Sequence, residues 1–310
     1  QAIHVGRRMR EQGLDHLHAH FAGMAARTAF WIREFFDIPY SFTAHANDIF
    51  APRDFVVSLG KLMESAAAIV TVSDYAAGYL RKRFPQSAAK IHRIYNGVDL
   101  SRFHPTDFGS GTPAIVSIGR LIEKKGFSDL ISACALLTSR RRAFVCEIIG
   151  EGPLEETLQA QIASAGLQNC VRLAGPQSQE QVALRLAHAT IFVLPCTREA
   201  DGGMDNLPTV IMEAMAAGLP VISTPLAGVP EMVEQEVNGE LVPERDPPAI
   251  CAALERLISD PERARRLGER GRQIAREKFS IQTSAGQLLE LFEKMLSEGR
   301  ASARPRLESI

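Results

Sequence analysis

Two rhythms of apolar and polar positions alternate along this chain. Short apolar runs, many of them β-branched, are separated by longer stretches in which apolar residues recur every three or four positions. The first rhythm predicts buried strands and the second predicts helices that cover them. Residues 15–19 (DHLHA), 40–44 (YSFTA), 68–72 (AIVTV) and 91–95 predict strands, with helices over 22–36, 61–67 and 74–83. Ser73 is placed to cap the last of these helices, and Asn96-Gly97 supplies a turn. The opening stretch, QAIHVGRRMREQG, has amphipathic helical spacing and no capping residue ahead of it.

Residues 103–113 (FHPTDFGSGTP) hold two prolines and no periodicity, so they predict a linker. Beyond it the pattern restarts. Strands are predicted at 114–118, 144–149, 171–173, 191–194, 221–223 and 240–242, with helices at 127–137, 154–165, 179–187 and 209–217. After Pro248 the chain reads as helical almost to its end, with strongly charged faces. Continuous apolar strands alternating with helices make parallel sheets covered on both faces, so the fold class is α/β. Residues 1–105 form the first half and 112–275 the second, which has the strands of a complete doubly wound unit; a C-terminal helix and tail occupy 276–310. The first half has four strands and opens abruptly, which predicts an N-terminally incomplete first domain. The plainer alternative is a trimmed start.

A chain of 310 residues suits two domains. Apolar residues make up 45% and charged residues 23%, a globular balance that argues against disorder and coiled coil. Lys plus Arg number 35 against 36 acidic residues, so no excess of positive charge points to nucleic acid. The five cysteines are scattered, without a CxxC pair, and most sit in or beside apolar runs as reduced thiols do. That implies a cytoplasmic setting. No apolar run is long enough to cross a bilayer, and the opening stretch reads as an amphipathic helix rather than the apolar core of a signal peptide.

In open α/β sheets ligands bind beyond the carboxyl ends of the strands, so the residues after each strand carry the candidate chemistry. Strand 114–118 is followed by GRLIEKKG, where Arg120 and Lys125 could clamp a diphosphate; an ordinary charged loop fits this piece equally well. Strand 144–149 leads into Gly150-Glu151-Gly152-Pro153. Gly150 and Gly152 would let backbone approach a ligand, or make only a tight turn into the next helix. Neither GxGxxG nor a Walker A motif is present. Strand 191–194 opens a long glycine-containing loop, the kind usually kept for function. Asn206 and Leu207 lead it into a helix preset by Pro208, and the N–H groups of Thr209 and Val210 would be free to hold a phosphate. Glu213 lies five residues past Pro208, roughly 7 Å along the helix, the reach from a diphosphate to a ribose. Its carboxylate could accept the ribose hydroxyls, or simply face solvent. Asp205, ahead of the phosphate site, could hold the hydroxyls of a sugar beyond the diphosphate.

The stretch D-NLPTVIM-E from Asp205 to Glu213 resembles the E-x7-E signature of retaining family-4 glycosyltransferases, with Asp in the first position. GRLIEKKG, IIGEGP, VRLAG, NGVDLSRF, GVPEMV and NGELV extend the resemblance over most of the chain. The HAHFA and SFTAHANDIF stretches bring it nearest to enzymes of exopolysaccharide and colanic-acid assembly. The resemblance implies the GT-B fold, two Rossmann-like domains facing across a cleft, with the donor held by the second and the acceptor by the first. It implies that Arg120 and Lys125 point into that cleft and steady the leaving diphosphate. Glu213 would hold the ribose, Asp205 the donor sugar, and His45 would lie near that sugar, unless it only bonds a loop carbonyl. His18 and His20, two apart on one strand, are read as non-metal residues; no metal and no cofactor is implied, since the nucleotide sugar is the substrate. The implied partners are a nucleotide-diphosphate sugar and a saccharide or lipid-linked acceptor, with peripheral contact to the inner membrane face through the first domain allowed and no nucleic acid. Members of the family carry further strands and a glycine-rich loop ahead of the HAHF stretch, hence the expected truncation. Two alternatives stay open: an inactive nucleotide-sugar-binding fragment, and a GT-B sugar-nucleotide epimerase. A nicotinamide dehydrogenase lacks its glycine fingerprint here.

Overall fold

The computed structural model describes residues 1–50, 55–105 and 111–302, with side chains described through Ser297. Contacts divide the chain into two units, Gln1–Tyr95 with the stretch from Gln282 onward, and Asn96–Ile281.

The first unit runs α1 (Ala2–Glu11), β1 (Leu17–His20), α2 (Met24–Phe36), β2 (Tyr40–Ala44), α3 (Ala46–Ile49), α4 (Leu59–Ser65), β3 (Ala68–Thr71), α5 (Asp74–Arg83) and β4 (Ile91–Arg93). Its four strands are parallel and lie in chain order, with Leu17 opposite Tyr40, Ser41 opposite Ala68 and Ile69 opposite Ile91. β2 and β3 are buried along their whole length, with Tyr40, Phe42 and Ala44 on one face of β2 and Ser41 and Thr43 on the other, so helices cover the sheet. The amphipathic opening segment does form a helix. It packs Met9 against Ile32 and Ile38, and it comes so close to α2 that a Cβ on Gly6 would lie 2.3 Å from the Phe36 ring. Ser73 caps α5 as predicted, accepting from the Ala76 N–H.

The second unit runs β5 (Ala114–Ile118), α6 (Phe127–Ser139), β6 (Val145–Ile149), α7 (Glu155–Ser164), β7 (Val171–Leu173), α8 (Gln179–Ala187), β8 (Ile191–Leu194), α9 (Thr209–Ala216), β9 (Val221–Ser223), α10 (Val229–Met232), β10 (Gly239–Leu241), α11 (Pro247–Ser259) and α12 (Pro261–Lys278). Its six parallel strands lie in the order β7-β6-β5-β8-β9-β10. This is the doubly wound order, and the strand sequence reverses between β5 and β8. Loops leaving those two neighbours diverge and open a crevice, which puts the GRLIEKKG loop beside the long 195–208 loop.

The division differs from the predicted domains. The predicted linker at 103–113 falls within the second unit's range, with 106–110 outside the described residues. The reason lies in the backbone: Val98 N–H donates to Phe279 O at 2.9 Å and Ile281 N–H donates to Val98 O at 3.0 Å, tying the chain after Tyr95 to the end of α12. The last helix, α13 (Ile281–Ser302), is not a separate tail. Leu291, with Leu288 and Met295, closes a cluster with Ala68, Val70 and Ile94 of the first unit. Periodicity shows that such a helix has an apolar face but not which sheet receives it.

Candidate functional site

The crevice between β5 and β8 collects most of the candidate residues of the second unit. Lys125 folds back across the end of β5, where a Cβ on Gly119 would lie 3.1 Å from its Cε. Its Nζ donates to Asp205 Oδ2 at 2.5 Å, and Lys124 Nζ lies 3.7 Å from Asp205 Oδ1. The two lysines and the aspartate are 12–16% exposed. Thr197 N–H donates to Lys124 O at 3.0 Å and locks the two loops together. Asp205 is therefore held between two ammonium groups, where separate roles on the diphosphate and the sugar were expected. Lys124 was not singled out from the sequence; its only signal was adjacency to Lys125. Below them the Cys196 thiol, 4.0 Å from Asp205 Oδ2, is pushed up to about 12 by burial and then by the Asp205 charge. It stays protonated and is no nucleophile.

Arg120 is exposed and makes no hydrogen bond or ion pair among the described residues. Gly150 and Gly152 have their own constraint. At Gly150, with φ of 143°, a Cβ would lie 1.9 Å from Gly119 O, and at Gly152 one would lie 2.6 Å from Leu121 O. The room these glycines create is filled by the 119–121 backbone, which seats the Arg120 loop. Direct approach of a ligand is not what requires them.

Pro208 sits at the N-cap of α9 rather than inside it, and no side chain caps the helix. The N–H groups of Thr209 and Val210 find no acceptor among the described residues and carry the positive end of the helix dipole. Asn206 and Leu207 are buried, and Asn206 O accepts from Gly228 N–H at 2.9 Å, which anchors the loop end. Nearby, the Thr197 hydroxyl is buried without a hydrogen-bond partner. Glu213, one turn further along α9, is half-buried, a wetter position than a fully enclosed ribose acceptor would have. Burial raises its pKa, while the Arg102 charge acts the other way. Its carboxylate has no hydrogen-bond partner among the described residues. Arg102 itself donates to the side-chain carbonyl of Gln179 and, at 3.3 Å, to Glu180 Oε1. Arg102 lies in the NGVDLSRF stretch, yet nothing in its spacing pointed to Glu213.

In the first unit His45 ends β2 and begins α3, where Asp48 accepts from its N–H at 3.0 Å. Its Nε2 lies 2.9 Å from the Nε2 of His20 at the end of β1, and the Phe21 ring stands 4.7 Å from the His45 ring. Phe21 reaches there through a left-handed backbone, φ 73°. The His45 pKa drops to about 4, first through burial and then through His20, against the pull of Asp48. His45 is thus a neutral imidazole at pH 7, bonded to a second ring rather than to a loop carbonyl. His18 is occupied differently: Nδ1 meets Ser41 Oγ at 2.7 Å and Nε2 meets Thr43 Oγ1 at 2.9 Å. His18 and His20 therefore share a strand without sharing a ligand. Among the described residues no cluster of three His, Cys, Asp or Glu side chains could hold a metal ion, and no helix is long and apolar enough to cross a membrane.

Comparison with known proteins adds relatives to this geometry. Residues 102–274 match the family Glycosyl transferases group 1, and residues 1–102 match Glycosyltransferase Family 4. The chain is 39% identical over 181 residues to an amylovoran biosynthesis glycosyltransferase of Erwinia amylovora, covering 58% of this chain and 44% of that one. It is 34% identical over 239 residues to a protein of Escherichia coli K12 described as a colanic acid biosynthesis glycosyltransferase, covering 76% of this chain and 58% of the other. This chain therefore spans about half the length of these relatives. An Anabaena protein solved in complex with UDP and glucose shares the fold, with a TM-score of 0.79 at 21% identity over 94% of this chain and 80% of that one.

Proposed function

The chain belongs to the family-4 glycosyltransferases, of the GT-B class, and on that premise we propose that it moves a sugar from a nucleotide-diphosphate sugar to a saccharide or lipid-linked saccharide acceptor in exopolysaccharide assembly. One observation carries most weight. At the switch point of the second sheet, two lysines close on Asp205, an uncapped helix begins four positions on, and Glu213 follows one turn into that helix with an unpaired carboxylate. A nucleoside diphosphate satisfies every one of these groups. The diphosphate takes the α9 N–H groups, Lys125 and Arg120; the ribose hydroxyls donate to Glu213; Asp205 is left for the sugar.

The proposed chemistry retains configuration. The bond between the anomeric carbon and the diphosphate oxygen breaks, and the acceptor hydroxyl oxygen bonds to that carbon on the same face. The acceptor proton passes to the departing diphosphate oxygen. The protein supplies charge and position. Lys124, Lys125, Arg120 and the α9 dipole provide the positive charge, so the proposal needs no metal ion and EDTA should leave the rate unchanged. His45, as a neutral imidazole, contributes to turnover and not to nucleotide affinity. A cytoplasmic location goes with a nucleotide-sugar donor. UDP, bound by the Anabaena neighbour, is the first nucleotide to test.

The test is transfer of radiolabelled sugar from a panel of nucleotide sugars, with NMR of the anomeric proton of the product. Saturable nucleotide binding with neither transfer nor donor hydrolysis would replace this proposal with that of a binding fragment. A product of inverted configuration would overturn the same-face step alone.

A further inference from the structure

A second cluster of unsatisfied positive charge lies outside the donor crevice. A cavity of about 350 Å³ is walled by the segment after β4 and by α9 and α12, with Leu100, Phe103 and Ala216 on its apolar side and Arg272, Arg276 and His104 on its polar side. Arg272 and Arg276 are one turn apart on α12, an arrangement of like charges that costs a helix stability. Nothing offsets it here: among the described residues neither guanidinium forms an ion pair, and the Arg272 Nη1 is buried without a hydrogen-bond partner. Burial, and then the charge of Arg276, lowers the Arg272 pKa. Ser101, also on the wall, has its hydroxyl committed to Asp99 Oδ1 at 2.6 Å.

The buried, unpartnered Arg272 Nη1 costs free energy, and with the exposed Arg276 on the same cavity wall it matches the forked recognition of a phosphate dianion. The cavity exceeds what orthophosphate fills and falls within the range of small-molecule sites. Its apolar wall suits the carbon face of a sugar ring. We propose that this cavity binds a phosphomonoester on a small sugar, with Arg272 and Arg276 on the phosphate, His104 beside it and the ring against Leu100, Phe103 and Ala216. The site is distinct from the donor crevice and does not depend on the proposed transfer. It is nonetheless adjacent to donor residues: Ala216 is three positions along α9 from Glu213, and Ser101 precedes Arg102.

The test uses the full chain, with thermal shift and calorimetric titration against inorganic phosphate and glucose 1-phosphate, because a ligand bound only by the folded state raises the melting temperature. Both probes should bind wild type, glucose 1-phosphate more tightly. Arg272→Gln and Arg276→Gln should each weaken both by about tenfold or more, the loss of a charge-assisted hydrogen bond. Lys125→Met, which weakens phosphate binding in the donor crevice, should leave a saturable binding event that the arginine substitutions remove. Without anion, Arg276→Gln should melt at or above the wild-type temperature, since it removes a like charge; that result also shows that the variant is folded. Wild-type affinity in both arginine variants, loss of all saturable binding in Lys125→Met, or no saturable binding at millimolar probe would overturn the site. Equal affinity for the two probes would overturn the sugar part and leave free phosphate as the ligand.

Discussion

Asp205 and Lys125 can be separated by a pair of substitutions whose effects should run in opposite directions. They hold each other at 2.5 Å, with 16% of the Asp205 side chain and 13% of the Lys125 side chain exposed, and Lys124 lies 3.7 Å from the other carboxylate oxygen. A hydrogen bond between charged groups contributes about 1.5–3 kcal/mol. In Lys125→Met the aspartate keeps Lys124, whose gross attraction at that distance is about 4 kcal/mol at an intermediate dielectric. The net loss should therefore sit near the lower end, about 1–2 kcal/mol, or roughly 2–8 °C in melting temperature for a unit of this size. UDP affinity should fall much further, by about tenfold to a hundredfold, because the diphosphate loses a charge-assisted donor. Asp205→Asn should do the reverse. It frees Lys125 from a competing anion, so UDP should bind as well as before or better, while the added affinity of UDP-sugar over UDP should shrink. Urea unfolding and calorimetric titration of the two variants and the double variant supply all the numbers. If Asp205→Asn weakened UDP as much as Lys125→Met did, Asp205 would be part of the diphosphate site and the division of roles would be wrong.

Glu213→Gln should stabilise the unliganded protein above pH 5 while weakening UDP binding. A carboxyl whose folded pKa is raised costs stability as pH climbs through its unfolded value, and the amide removes that cost along with a charged ribose acceptor. In the first unit His18 and His45 both fall to about 4. The folded state resists protonation that the unfolded chain accepts, so stability is full above pH 6.5 and is lost as pH drops toward 4. NMR titration should show both rings neutral at pH 5.5, and rings titrating near 6.5 would contradict the packing described. The Glu240 carboxylate, 1% exposed, is paired by Arg256 and, at 3.3 Å, by Arg263. Glu240→Ala should cost about 3–5 kcal/mol by stranding buried partners, and a loss below 1 kcal/mol in urea unfolding would show the pair to be solvated.

What the chain carried in its own order was local. Short apolar or alternating runs between helical stretches placed the ten described strands within a few residues; in the second unit this is because burial on both faces of a parallel sheet demands near-continuous apolar runs. Ser73 did its work three positions from itself, whereas Asn96-Gly97 makes no turn, because the Val98 N–H is taken by Phe279 O and the chain stays extended there. The D-NLPTVIM-E stretch was legible for the same reason: loop, helix start and Glu213 lie in one continuous segment. The short helices α3 and α10 left no periodic trace, since four residues complete barely one turn.

What only the tertiary structure decided was who meets whom. Lys125 and Asp205 are 80 positions apart and touch because β5 and β8 are neighbours at the reversal of strand order. His20 and His45 meet because β1 and β2 end side by side. Arg272 and Arg276 read as two charges among many on a polar helix; the fold turned them onto a cavity without an acid. The last helix returned to the first unit because Leu291 found an apolar sheet face there. Sequence pattern fixes which face of an element is apolar or charged, since that depends on neighbours a few residues away. Pairing between distant elements depends on strand order and on chain closure across the whole unit, and no window of the sequence contains either.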